Sequence, residues 1–220
     1  MTKLVITSVK AKPGSAVLVV VRCGRTVLGV VSRADATRLG LDEGVAGIAA
    51  DEALIAGLAE ADEWIRARAM MAGWLDRTAL SQAVVEKRAA AKGFSHGLIQ
   101  RLLKEFVGLG LIDDAAVAIA ATEHELRRKP AGPRLLREKL VRRGIDEDLA
   151  DGVASAATAG RDLFADAVAL CGARMSLASM KCDPVAARRK LFGLLGRRGF
   201  EEEVAAAAIE RVLGPEREAD

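Results

Sequence analysis

Hydrophobic positions change their period once along the chain, and that change divides it. From Leu4 to Val31 the apolar residues are mostly β-branched and interrupted by turns, with Val17 to Arg22 and Thr26 to Val31 on either side of Cys23-Gly24-Arg25. Two such runs joined by a short glycine-containing connection predict a β-hairpin. Ser32 is placed to cap a short helix ending near Gly40, and Leu41-Asp42-Glu43-Gly44 reads as a turn. A β unit this small is marginal alone and is expected to pack on the helical residues beyond it.

From about Asp51 the pattern becomes helical and stays so, with Ala, Leu, Arg and Glu dominating. Three stretches then align on Lys92-Gly93-Phe94, Arg143-Gly144-Ile145 and Arg198-Gly199-Phe200, whose glycines are 51 and 55 residues apart. Eight positions before each glycine stand Val85, Leu136 and Leu191; four before stand Ala89, Leu140 and Leu195; five after stand Leu98, Leu149 and Val204. An i, i+4 apolar stripe ending at glycine predicts a helix closed by a left-handed residue. A second helix starts at once, with Ser95, Asp146-Glu147-Asp148 or Glu201-Glu202-Glu203 in its first turn, residues suited to cap or offset a helix N-terminus. Each copy adds a leading helix, over Ala61 to Leu75, Asp113 to Arg128 and Asp162 to Ala178.

The spacing therefore predicts a mainly α chain of tandem three-helix repeats in an elongated, curved array, preceded by a small β-rich N-terminal unit. The expected divisions are a β-rich unit over 1–50, repeats over 51–110, 111–159 and 160–214, and a disordered tail over 215–220. Asp113 is placed to cap the first helix of the second repeat, and Asp183-Pro184 reads as an N-cap and a first-turn proline. Lys129-Pro130-Ala131-Gly132-Pro133 cannot continue a helix and marks a bend.

At 220 residues and 51% apolar the chain can bury cores. Cys23, Cys171 and Cys182 form no Cys-x-x-Cys pair and fit reduced thiols better than a disulfide framework. The apolar run from Ala16 to Val21 is too short to span a bilayer, so a soluble, cytoplasmic protein with no membrane partner is expected. No Gly-rich phosphate loop, His-Glu-x-x-His or Gly-x-Ser-x-Gly occurs. His96 and His124 read as surface histidines, and Asp113-Asp114 reads as helix capping rather than a catalytic carboxylate pair. No enzyme, cofactor or metal is expected.

Charge is the remaining signal. The net charge is only +3, but residues 124–144 hold eight cations against Glu125 and Glu138, and residues 181–199 hold six against Asp183. Cations near a helix C-terminus complement its dipole, which accounts for Arg142, Arg143, Arg197 and Arg198. It does not account for Arg134, Arg188 and Arg189, near the opposite ends of their helices. A repeating basic face aimed at a polyanion, or at an acidic or nucleic-acid-loaded protein surface, does. With no tyrosine and 3% aromatics the chain is poorly equipped to stack single-stranded bases, which points to phosphate or protein contact.

Taken together, Lys92-Gly93-Phe94, Gly110-Leu111-Ile112-Asp113-Asp114 with Ala118, Gly132-Pro133-Arg134, Arg142-Arg143-Gly144-Ile145 and Arg188-Arg189-Lys190-Leu191-Phe192 through Arg197-Arg198-Gly199-Phe200 give a chain that resembles the RecX family of bacterial recombination regulators. The resemblance runs from about Trp64 to Leu213. It implies a protein that binds the RecA recombinase filament on single-stranded DNA, lodging in its helical groove and suppressing ATP hydrolysis, strand exchange and co-protease action in DNA repair and the SOS response; a monomer is expected. Carried over by position, the contact residues it implies are Lys92, Arg134, Arg142, Arg143, Arg188, Arg189, Arg197 and Arg198. The alternatives are a direct DNA-binding or architectural helical repeat protein, with repeats used as groove readers, and a helical scaffold whose cations are merely surface.

Overall fold

The computed structural model describes residues 4–175 and 183–214. The expected tail over 215–220, the end of the helix drawn to Ala178, and Lys181 and Cys182 lie outside the described residues.

The chain begins with strands β1 (Leu4–Ile6), β2 (Ser8–Ala11), β3 (Leu18–Cys23) and β4 (Thr26–Ser32), helix α1 (Arg33–Arg38) and strand β5 (Ile48–Ala50). Strands β2, β3 and β4 form one antiparallel sheet, and β1 pairs with β5 in a second. Strand β3 closes on β4 with Cys23 opposite Thr26, leaving Gly24-Arg25 as a two-residue turn with Gly24 at φ 60°. Alternation sends Val19, Val21 and Val31 inward with Ile6 and Val9. Ser32 caps α1 by accepting from the Asp35 N–H at 3.0 Å. The valine face is completed by Leu58 and Ala61 of α2 (Glu52–Leu75), so the sheet is covered by the next long helix in the chain.

Helix α2 starts nine residues before the expected Ala61, because the Asp51 carboxylate accepts from the Leu54 N–H at 2.8 Å and starts the helix there. Helices α3 (Gln82–Ala91) and α4 (His96–Gly108) come next. The second triplet is α5 (Asp114–Arg128), α6 (Pro133–Val141) and α7 (Glu147–Thr158). The third is α8 (Leu163–Met175), α9 (Pro184–Arg197) and α10 (Glu202–Leu213). Gly93, Gly144 and Gly199 take φ of 85°, 77° and 77°. Such left-handed closure carries little steric cost only without a Cβ. Asp113, Asp146 and Asp183 cap with their carboxylates, whereas Ser95 and Glu201 stand at the cap position with no side-chain hydrogen bond.

Two compact units result. The first comprises residues to Thr78 with Val85–Leu109, and the second Ala79–Val84 with residues from Gly110 onward. Within the second unit, the buried Ser81 hydroxyl donates to the Arg143 carbonyl at 2.6 Å, and Asp114 accepts from the Gln82 N–H at 2.8 Å. Asp113 and Asp114 are thus both capping groups, one for α5 and one for α3. The α5–α7 triplet is packed on Ala118, Leu140, Ile145 and Ala150, and the last three helices on Leu170, Leu191, Leu195, Phe200 and Ile209. The two triplets meet backbone to backbone: the Gly132 N–H donates to the Arg198 carbonyl at 2.8 Å, and a Cβ on Gly132 would stand 2.1 Å from the Gly199 carbonyl oxygen.

Candidate functional site

The basic segments do not form one continuous face, because the fold divides their arginines between two tasks. Arg134, in the first turn of α6, donates to the Gly196 carbonyl at 2.7 Å in the last turn of α9. Arg188 donates to the Gly214 carbonyl at 2.9 Å, just past the end of α10. Each cation is badly placed for its own helix and well placed for the C-terminus of a neighbour, whose unsatisfied carbonyls it serves.

Arg198 goes further inside, with a side chain 16% exposed that pairs with Glu125 at 3.0 Å and donates to the carbonyls of Lys129 at 2.8 Å and Pro130 at 2.9 Å. It fastens the 129–133 bend to the end of α9. Glu125 is also bound by Lys139, and these two cations hold its carboxyl below the usual glutamate range, the Lys139 hydrogen bond being the larger cause.

Of the other expected contact residues, Lys92, Arg142 and Arg143 are exposed, and Arg142 makes a loose i, i+4 pair with Glu138 at 3.5 Å. Lys92 belongs to the first unit, and Arg142 and Arg143 to the second.

Arg189 and Arg197 are brought together. They line a groove of about 620 Å³ beside α8 and α9, with Lys129, Arg174 and Lys190 as the other charged lining groups. Five cations and no carboxylate face this space, over a floor that includes Leu170 and Leu194. Arg189, Gly193 and Arg197 recur at i, i+4 and i+8 on one side of α9, and glycine in the middle leaves room between the two guanidiniums. Among the described residues, Arg174, Arg189, Lys190 and Arg197 have no ion-pair or hydrogen-bond partner. All five cations are exposed, so the groove presents positive charge that a bound anion would offset.

Lys129 and Lys190 are visible in the sequence as members of the basic runs; Arg174 is not. It is the one cation in the apolar helix α8, and its meeting with α9 depends on packing.

His96 is exposed, 3.8 Å from Glu86. Among the described residues no group of three or more His, Cys, Asp or Glu is arranged to hold a metal, and no helix is long and apolar enough to cross a membrane. Cys171 is buried beneath α9, and burial pushes its thiol up.

No protein-family model matches the sequence. Individual relatives do. The regulatory protein RecX of Chlorobium limicola is 33% identical over 134 residues, covering 59% of this chain and 79% of that one. The regulatory protein RecX of Chlorobaculum tepidum is 29% identical over 137 residues, 61% of this chain and 81% of that one. That of Mycobacterium avium is 27% identical over 153 residues, 70% and 88% of the two chains. Among solved structures, a crystal structure of regulatory protein RecX superimposes with a TM-score of 0.72 at 19% identity, over 95% of this chain and 98% of that one. RecX from Lactobacillus salivarius gives 0.62 at 18% identity, over 69% and 97%. At these identities the structures speak for the fold alone.

Proposed function

Because the chain belongs to the RecX family of regulatory proteins, we propose that it binds the RecA recombinase filament on single-stranded DNA in the cytoplasm and inhibits its ATP hydrolysis, strand exchange and co-protease action. The observation that supports this reading is the groove of Lys129, Arg174, Arg189, Lys190 and Arg197, cationic with no internal counter-charge. A filament loaded with DNA is polyanionic, and clustered cations with no carboxylate beside them attract phosphate or carboxylate groups held against them. On this reading the α2–α4, α5–α7 and α8–α10 triplets act as successive contact modules. Arg189 and Arg197, with Lys92, Arg142 and Arg143, reach outward, while Arg134, Arg188 and Arg198 hold the modules in shape. Binding across neighbouring recombinase subunits would resist the rearrangements that accompany turnover, which is how a protein without catalytic groups slows an ATPase.

Co-sedimentation with recombinase filaments on single-stranded DNA tests this. The wild type enters the pellet, and Arg189→Glu/Arg197→Glu binds at least about tenfold more weakly, roughly 1.4 kcal/mol. A folded variant that pellets like the wild type contradicts the role of the groove. Wild-type protein left in the supernatant contradicts the filament reading itself. Tight retention on naked duplex DNA with a steep salt slope would favour direct DNA binding, which a groove of phosphate-binding cations with no aromatic residue also suits.

A further inference from the structure

The second triplet carries a groove that filament binding through α9 does not use. It lies between α5 and α7, has a volume of about 540 Å³, and is floored by Leu126, Leu149, Val153 and two alanines, with Ile119 at its edge 50% exposed. Its only charged lining residues are Glu123 and Asp148. Glu123 is engaged only by Arg127, in an exposed i, i+4 pair at 3.4 Å, and Asp148 has no side-chain partner.

The corresponding place in the first triplet shows what is missing. Counted from Gly93 and Gly144, Arg101 and Gly152 hold the same position, eight residues on. Arg101 lies over the Trp64 ring at 4.7 Å and pairs with Glu60 at 3.5 Å, so that groove carries its own charged, aromatic filling. At Gly152 a Cβ would meet nothing within 4 Å. A mid-helix glycine weakens its helix, and here no internal contact requires one.

The chain itself presents a matching helix face. On α9, Val185 is 79% exposed and Phe192 is 40% exposed, seven residues apart and hence on one side, with Arg189 between them. Ile119 and Leu126 in the groove are also seven residues apart. Both stretches run about 10 Å at 1.5 Å per residue, so two apolar anchors fit a two-turn groove while Arg189, between them, meets the carboxylates of Glu123 and Asp148 that line it. We infer that α9 of a second copy docks into the α5–α7 groove, giving a head-to-tail contact between copies that is weak when dilute and grows with concentration. This is the helix-in-groove mode of recognition. The two surfaces differ, so the contact is heterologous and continues into a chain of copies unless it closes. It also covers Arg189, so self-association and polyanion binding compete for α9.

Sedimentation of the full-length protein over a wide concentration range tests this. Wild-type mass rises with concentration past the dimer. Gly152→Arg, which fills the groove from a position with open space, and Val185→Asp/Phe192→Ser, which spoils the exposed face of α9, each stay monomeric while keeping the wild-type circular dichroism spectrum. Mixed in equal amounts, the two variants form a one-to-one pair and stop there, since only one intact groove and one intact α9 face remain between them. A wild type that stays monomeric throughout overturns the inference, and the groove is then left for a different protein. A wild type that associates while the mixed variants do not, or a Gly152→Arg variant that associates like the wild type, equally overturns it.

Discussion

Replacing Arg198 by alanine removes a side chain that joins the second triplet to the third. Its guanidinium is 16% exposed, pairs with a Glu125 side chain only 13% exposed, and satisfies the carbonyls of Lys129 and Pro130. Hydrogen bonds involving a charged group contribute about 1.5–3 kcal/mol each, and breaking a buried pair costs about 3–5 kcal/mol when the other charge is stranded. Here Glu125 keeps Lys139 and water can reach the freed carbonyls, so the expected loss is about 2–3 kcal/mol. The pH dependence has a definite sign. Glu125 is held below its ordinary range in the fold, so its pairing stabilises above the unfolded glutamate value, about 4.3, and that contribution is lost as pH falls through the folded value. The gap between wild type and Arg198→Ala is therefore full at pH 7 and narrows below about pH 4. Urea unfolding monitored by far-ultraviolet circular dichroism is the suitable assay, because Trp64 and Trp74 both lie on α2 and fluorescence does not report on the second unit. A variant within about 0.5 kcal/mol of wild type at pH 7, the usual range for an inconsequential surface change, would refute the clamp.

Asp113→Ala removes the carboxylate that accepts from the Ala116 N–H at 2.9 Å and should cost about 1 kcal/mol, read as a lower urea midpoint with an unchanged slope; an unchanged midpoint contradicts the capping role. Gly199→Ala places a methyl 2.1 Å from the Leu135 nitrogen at a residue with φ 77°, and because the obstacle is backbone, small side-chain motion does not relieve it. This variant should lose well over about 3 kcal/mol and be recovered mainly unfolded, and normal expression with a wild-type midpoint would show that the two triplets are not held together at this point.

Much of the architecture is legible in the sequence because it rests on local physics. The three left-handed glycines, the i, i+4 stripes before them and the Asp113 and Asp183 caps are short-range requirements, and each appears where the residues call for it. Strand β5 is different: Ile48-Ala49-Ala50 has no strand pattern of its own and exists by pairing with β1, more than forty residues away in sequence. The arginines show the same divide. Sequence identifies Arg134, Arg188 and Arg189 as poorly explained by their own helices, yet the bonds of Arg134 to Gly196 and Arg198 to Glu125 span 62 and 73 residues. Only tertiary packing separates these cations from Arg189 and Arg197, which face the groove, and brings Arg174 to join them.

The most direct test of filament regulation is the steady rate of single-stranded-DNA-dependent ATP hydrolysis by the cognate recombinase as this protein is titrated in, at two salt concentrations. The rate is expected to fall at less than one protein per recombinase subunit, higher salt to weaken the effect, and Arg189→Glu/Arg197→Glu to restore the rate while keeping its fold. An unchanged rate with wild-type protein at low salt, in samples where filaments are verified to be intact, would contradict the role proposed for this chain.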